Sequence, residues 1–326
     1  MSSRIRVGQA GLGEWGKNLA RNFADLADLA WLTDPAEGKE EEFGARYPQA
    51  AWARSFDEML ADDRLDAVVI ATPVPTHYEL AKQALEAGKH VFVEKPPAMR
   101  TAEIDELVAL AEERDLVLMP GHLLLYHPGV LKLKQLVDEG ALGKVLMVYG
   151  NRQNLGVIRK HENALWSLGV HDLSVILYLL DEDPSEAVAH GQSLLETGVE
   201  DVVFCYLRFP SGRVAHMHLS WLDPHKMRKM TVVGTEKMAV FDDMELDRKV
   251  TVYEKSPWKP VDSYGEWQTR TGDIHIPKIA IDEPLKLECR EFLSLVEGEG
   301  DRGKVAADGA RVVRALDMLT RSLDGG

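Results

Sequence analysis

The sequence predicts an α/β protein: an N-terminal Rossmann-type doubly wound parallel sheet, then an α+β domain with a largely antiparallel open sheet. Three observations carry this. Short β-branched runs alternate with longer amphipathic stretches up to residue 120, the pattern of a parallel sheet with helices on both faces. A Gly-x-Gly-x-x-Gly turn, Gly11-Leu12-Gly13-Glu14-Trp15-Gly16, lies between the first such strand and the first such helix. From Ala187 to Tyr253 the apolar residues alternate with period two, and turn residues rather than helices separate the runs, which favours antiparallel pairing.

Each element has its own signal. Ile5–Ala10 reads as a strand, Lys17–Ala27 as an amphipathic helix, Leu29–Thr33 as a strand ending at Asp34, and Lys39–Arg46 as a polar helix. Ser55, with Glu58 three residues on, matches a capping box for a helix to Leu60. Ala67–Ala71 is apolar at every position, as in a strand covered on both faces. A helix over Tyr78–Ala87 stopped by Gly88, a strand at His90–Val93, a helix over Thr101–Glu113 with a threonine cap and a strand at Leu116–Met119 complete the first domain. Beyond Pro120 come helices over Val130–Glu139 and Leu168–Leu180. Strands follow at Val202–Phe209, Arg213–Trp221, Arg228–Val233, Ala239–Asp242 and Lys249–Tyr253. Helices over Leu285–Val296 and Gly309–Leu323 close the chain, with Glu297–Lys304 as a surface loop. Two domains result, 1–120 and 121–326, in keeping with roughly 150 residues per domain.

Composition narrows the function. With 53 acidic against 38 basic residues the net charge is −15, which disfavours nonspecific binding to nucleic acid or anionic membranes. No apolar run approaches the ~20 residues of a membrane span, and Met1–Gly8 carries no apolar leader. Cys205 and Cys289 lie in apolar-patterned segments and read as buried thiols without a disulfide framework, as suits a reducing cytoplasm.

The glycine turn carries chemistry because of its context. Its first glycine permits the tight turn, the second lets a pyrophosphate approach the backbone, and the third lets helix and strand pack closely. The helix start then offers unpaired N–H groups and a positive dipole end to phosphates. Asp34 follows Gly16 by 18 residues, near the ~20 expected of a carboxylate that binds the adenosine ribose hydroxyls. It would repel a 2′-phosphate, and Pro35 and Ala36 rather than an arginine follow, so NAD is favoured over NADP. A cap on the next helix is the other role for Asp34. Thr72-Pro73-Val74-Pro75-Thr76-His77 follows the apolar strand, at the edge where ligands collect. His77 is either a cofactor contact or simply the first turn of the next helix. Glu94-Lys95-Pro96-Pro97 ends the following strand, and a lysine there can bind or deprotonate a hydroxyl in the same crevice. The alternative is an ordinary turn lysine. Expected cofactor contacts are Gly11 through Gly16, Asp34, Thr72, Pro73, His77, Glu94 and Lys95.

Together these motifs resemble the glucose–fructose oxidoreductase / inositol dehydrogenase (Gfo/Idh/MocA) family, Glu94-Lys95-Pro96 most specifically. Gly121-His122-Leu123-Leu124-Leu125-Tyr126-His127-Pro128, Ser220-Trp221, Val232-Val233-Gly234-Thr235 and Glu283-Pro284-Leu285 with Cys289-Arg290-Glu291-Phe292 extend the resemblance through most of the chain. It implies an active-site role for Lys95. The family's Asp-x-x-x-His falls on Ser167 and His171, so His171 stands at the proton carrier's position while Ser167 replaces the carboxylate that would orient it. The polar stretch Asn151-Arg152-Gln153-Asn154-Leu155-Gly156, with Arg159, His161, Glu162 and Asn163, suits a polyhydroxylated or phosphorylated ligand, or else forms a solvated loop. Up to Trp166 it resembles members acting on nucleotide-linked sugars.

The resemblance thus implies an NAD-dependent dehydrogenase acting on CH–OH groups, with hydride leaving a sugar carbon, C3 of a UDP-linked sugar in that subgroup. Candidate sugar contacts between the two domains are His122, Tyr126, Arg152, Asn154, Arg159 and Trp166. Two other functions share the fold: NAD-dependent glycosidic cleavage without net redox change, and an NAD-binding regulator without turnover. His216 and His218 alternate on one strand with His225 beyond it. No carboxylate or third ligand accompanies them, so a polar sheet face or subunit interface is expected rather than a metal site. An apolar sheet face left uncovered by helices predicts a homodimer or homotetramer.

Overall fold

A computed structural model describes residues 4–325 apart from 157, 160, 161, 196, 197 and 260–265. The chain forms two compact units, Met1–Leu123 with Glu283–Arg314, and Leu124–Asp282 with Ala315–Gly326.

In the first unit β1 (Arg6–Ala10), β2 (Asp28–Thr33), β3 (Ala51–Trp52), β4 (Ala67–Ile70), β5 (His90–Glu94) and β6 (Leu118–Gly121) form a six-stranded sheet in the order β3-β2-β1-β4-β5-β6. Every pairing in it is parallel. The helices between the strands are α1 (Gly16–Leu26), α2 (Lys39–Arg46), α3 (Phe56–Leu60), α4 (His77–Glu86) and α5 (Thr101–Glu113). All four residues of β4 are buried, which explains its unbroken apolar run. The capping signal at α3 is real: Ser55 Oγ accepts the Glu58 N–H at 3.1 Å, and the Glu58 carboxylate accepts the Arg54 N–H at 2.7 Å. Thr101 is the first helical residue of α5 and Arg100 holds the cap position, so the expected threonine cap is corrected. The two-residue strand β3 is too short to leave a periodic signal.

Strand order reverses beside β1, whose neighbours β2 and β4 lead away in opposite directions. Loops leaving the carboxyl ends of β1 and β4 therefore part there and open a crevice, the usual ligand position of such sheets.

The second unit holds α6 (Pro128–Asp138), β7 (Val145–Gln153), α7 (Val170–Leu180), β8 (Glu186–Gln192), β9 (Val202–Arg208), β10 (Val214–Ser220), β11 (Met227–Gly234), β12 (Met238–Asp242), β13 (Val250–Trp258) and β14 (Gln268–His275). Its eight-stranded sheet runs β14-β13-β12-β11-β7-β10-β9-β8. All pairs are antiparallel except β7 with β10. The polar stretch Asn151–Gln153 is not a loop but the end of β7, a central strand. Alternation decides its burial: Val148, Gly150 and Arg152 share the face that packs on α7, while Tyr149 and Asn151 lie on the other. Helix α7 is preceded by a π-helical turn, Leu165–Gly169, rather than starting at Leu168.

The chain ends in α8 (Pro284–Val296) and α9 (Arg302–Asp324). The expected second domain ran to residue 326, but Glu283–Arg314 groups with the first unit. Its cause is aromatic packing. Phe292 of α8 meets Phe23 of α1 and Phe92 of β5 edge-on, at centroid distances of 6.0 and 5.7 Å. All three rings are buried, each contributing about 1.5–3 kcal/mol. Gly309 brings α9 against β6, where a Cβ would come within 2.4 Å of Pro120. The closing loop is also shorter than expected, since α9 begins at Arg302.

Candidate active site

The glycine turn is built from the strand outward. Gln9, buried in β1, donates its side-chain amide to the Gly11 carbonyl (2.9 Å) and the Gly16 carbonyl (2.7 Å), fixing both ends of the turn. Gly11 has φ +90°, and a Cβ there would lie 2.4 Å from the Ala71 carbonyl oxygen. A Cβ on Gly16 would lie 2.2 Å from the Gly11 oxygen. At Gly13 a Cβ would meet nothing within 4 Å. So two glycines serve the protein's own packing, and the middle one borders open space. No side chain caps the start of α1, and its Lys17 and Asn18 N–H groups bond the Gly13 and Trp15 carbonyls at 3.2 and 2.9 Å. This turn fits a dinucleotide pyrophosphate. Asp34 accepts the Leu12 N–H at 2.7 Å and the Ala36 N–H at 2.8 Å. It does not cap α2, whose cap residue is Gly38. Two backbone contacts leave the carboxylate with spare acceptor capacity.

Loops after β4 and β5 supply the rest of the first unit's site. Thr72 bonds Thr76 through its hydroxyl at 2.7 Å, and Pro73 precedes a 3₁₀ turn. His77 is 1% exposed. Its ring nitrogens lie 2.8 Å from the Pro96 carbonyl and 2.7 Å from the Thr72 carbonyl. That corrects its expected cofactor contact: the ring ties one loop to the other and has no edge left for a ligand. Burial holds its pKa below the usual histidine value.

Lys95 follows Glu94 at the carboxyl end of β5, and its peptide bond to Pro96 is cis. The Glu94 carboxylate accepts the indole N–H of Trp15, joining the Lys95 turn to the glycine turn. Burial pushes Glu94 up to about 7, against the pull of Trp15 and Lys95. His122 directly follows Gly121, the β6 residue in register with Glu94. At 3% exposure, neither ring nitrogen has a partner. Burial, then the Lys95 charge, lowers His122 to about 4, so the ring is neutral at physiological pH.

Within the second unit the sugar candidates separate. Trp166 is buried and donates its indole N–H to Thr320 at 3.0 Å, so it is a core residue and not a sugar contact. Arg152 is likewise buried, and two of its nitrogens lie 2.7 Å from one Asp172 oxygen. Gly150 makes room for that carboxylate, since a Cβ there would sit 2.7 Å from Asp172 Oδ2. The expected sugar contact at Arg152 is therefore corrected to a structural ion pair. Breaking it leaves a buried charge unpaired, so Arg152→Met is expected to destabilise the second unit by about 3–5 kcal/mol. Adding Asp172→Leu should recover most of the loss, and urea denaturation of the single and double variants checks both.

Arg159 is exposed and pairs with Glu162 at 2.9 Å, Asn154 is half-buried beside Gly156, and Tyr126 is half-buried. His161 lies outside the described residues. His171 is half-buried at the second position of α7. Ser167 accepts the Trp221 indole N–H at 3.2 Å, which gives its hydroxyl a core role. His216 stacks on Tyr149 and His218 on Phe204, at 4.8 and 4.4 Å between centroids. Sequence reasoning missed Gln9 and Asp172 as supporting residues. A polar residue two places before the glycine turn was the available signal for Gln9.

Comparison with known proteins now adds to this geometry. A family model described as an oxidoreductase family with an NAD-binding Rossmann fold matches residues 5–122, and its companion Gfo/Idh/MocA C-terminal domain matches 130–240. The UDP-N-acetylglucosamine 3-dehydrogenase of Acidithiobacillus ferrooxidans is 30% identical over 241 residues, 73% of this chain and 74% of that protein. The chain belongs to the Gfo/Idh/MocA oxidoreductase family. The crystal structure of that dehydrogenase matches at a TM-score of 0.82 with 26% identity, covering 98% of both chains. GenD2 from gentamicin A biosynthesis, solved in complex with NAD, matches at 0.82 and 26% identity, covering all of this chain and 96% of that one. The 2,7-anhydro-N-acetylneuraminate hydratase of Escherichia coli K12 is 30% identical over 229 residues, 65% of this chain, and the match spans 60% of its own length. The first unit is thus the family's NAD-binding Rossmann domain. Among the described residues no helix is long and apolar enough to cross a membrane.

Proposed function

We propose that this chain is an NAD-dependent sugar dehydrogenase that oxidises a ring hydroxyl, C3 of a UDP-linked sugar being the first candidate. The observation that carries the reading is the hydrogen bond from Trp15 to Glu94, because it joins the dinucleotide-binding turn to the turn that bears Lys95. The related UDP-N-acetylglucosamine 3-dehydrogenase supports the substrate class. Bound NAD supplies a hydride acceptor for a carbinol carbon. Lys95 hydrogen-bonds the reacting oxygen, and His171 takes its proton as the carbonyl forms. Neutral His122, with two unmatched ring nitrogens, offers a further polar contact. Asp34 binds ribose hydroxyls and disfavours a 2′-phosphate, hence NAD over NADP. A screen of free sugars, inositols and UDP-sugars for NADH formation tests the reading. A UDP-sugar is expected to give the highest rate.

The hydratase relative, at the same 30% identity, favours one second reading, a reaction with no net redox change. It predicts substrate turnover on retained cofactor with no NADH accumulating from any sugar.

We also propose a homodimer or homotetramer in a reducing cytoplasm. The sheet face of the second unit carries Tyr149, Phe204, Tyr206, His216 and His218, with Phe204 53% exposed. Both cysteines are free and buried. Light scattering is expected to give a mass of at least twice 36.4 kDa, and a monomer mass overturns the assembly.

A further inference from the structure

Glu288 of α8 is 0% exposed, and neither carboxylate oxygen has a hydrogen-bond partner. It sits in the layer where α8 packs on α1 and β5 through the three phenylalanines. The charge that acts on it is Glu94, the carboxylate bonded to Trp15. Two more buried acceptors on these elements also lack donors, Gln9 Oε1 and Asn22 Oδ1. The charged and titratable groups tied to this layer are Glu94 at the end of β5, Cys289 and Glu283 on α8 and its cap, and Arg21 on α1. Arg21 is already paired with Glu283. A bare carboxylate buried without a donor is costly, whereas the neutral acid supplies a donor among elements that carry unmatched buried acceptors.

We infer that Glu288 is a protonated carboxylic acid that acts as a positioning residue for Glu94, beneath the Trp15 and Lys95 turns. Burial, then the Glu94 charge, raises Glu288 well above the usual carboxylate range. The sign follows from linkage. The unfolded glutamate ionises near about pH 4.3, and the folded one does not, so the native state binds more protons and loses stability as pH rises from there to the folded pKa. Glutamine mimics the neutral acid, keeps a donor and removes that loss.

The inference rests on the first unit's NAD site and not on the identity of the sugar. Two variants of the full chain test it, Glu288→Gln and the similarly sized but donorless Glu288→Leu. Thermal midpoints of wild type and Glu288→Gln are expected to diverge between about pH 5 and pH 8, wild type falling a few degrees further. NAD affinity by calorimetry near neutral pH is expected to stay within about threefold in Glu288→Gln and to weaken about tenfold in Glu288→Leu. Parallel stability profiles for wild type and Glu288→Gln would overturn the protonated state. Equal NAD affinity in the leucine and glutamine variants would overturn the positioning role. Absence of NAD binding in wild type would instead remove the cofactor site itself.

Discussion

Lys95→Met is expected to lower turnover by about 10²–10⁴-fold, the range of a positioned acid–base group, while NAD affinity changes little. The lysine stands at a strand end, and its position is fixed from both sides. Pro96 follows it, and the Pro96 carbonyl is held by His77. Glu94 precedes it and is held by Trp15. Its charge reaches both buried imidazoles, helping to lower His77 and His122. Methionine fills much the same volume without the charge or the donors, so the fold should survive. A lysine that binds the reacting oxygen stabilises charge as the hydroxyl proton leaves, an interaction absent from cofactor binding alone. The loss should therefore fall on kcat. Lys95→Arg should not restore the rate, because a planar guanidinium fork cannot take the place of a compact ammonium. Stopped-flow NADH formation with the best sugar, beside calorimetric NAD binding, separates the two quantities. Wild-type turnover in Lys95→Met would remove Lys95 from the reaction.

Local signals marked the first unit in the sequence because each one had a local cause. The glycine turn, the Ser55 cap and the apolar β4 run depend on neighbours a few residues away. Long-range packing left no such trace. Nothing in the sequence near Trp166 announces that its indole N–H ends on Thr320, 154 residues later. Arg152 looked like a ligand-binding arginine because its partner, Asp172, lies in another element. Grouping of α8 with the first unit depends on Phe292 meeting Phe23 and Phe92, a contact no periodicity encodes. His77 is an intermediate case. Its position at the start of α4 was legible, but its two carbonyl partners lie in different loops.

The three glycines of the turn give the sharpest separation of stability from binding. In Gly16→Ala the new Cβ lies 2.2 Å from a backbone oxygen, and neither the strand end nor the helix start can yield cheaply. Alanine gains about 1 kcal/mol of helix propensity over glycine, but overpacking of this kind costs about 1–3 kcal/mol and sometimes more. Because the opposing atom is backbone, the net effect should be destabilising. Gly11→Ala adds an unfavourable positive φ to a 2.4 Å clash. Gly13→Val should do the opposite. Its Cβ meets nothing within 4 Å, so the free protein should melt as wild type does. If the pyrophosphate approaches the backbone there as proposed, the new side chain fills its space, and NAD affinity should fall by about 100-fold or more, about 2.7 kcal/mol. Thermal melts without cofactor and calorimetry with NAD read the two effects independently. A Gly13→Val protein that melts like wild type and still binds NAD at wild-type affinity would mean that the dinucleotide does not use this turn.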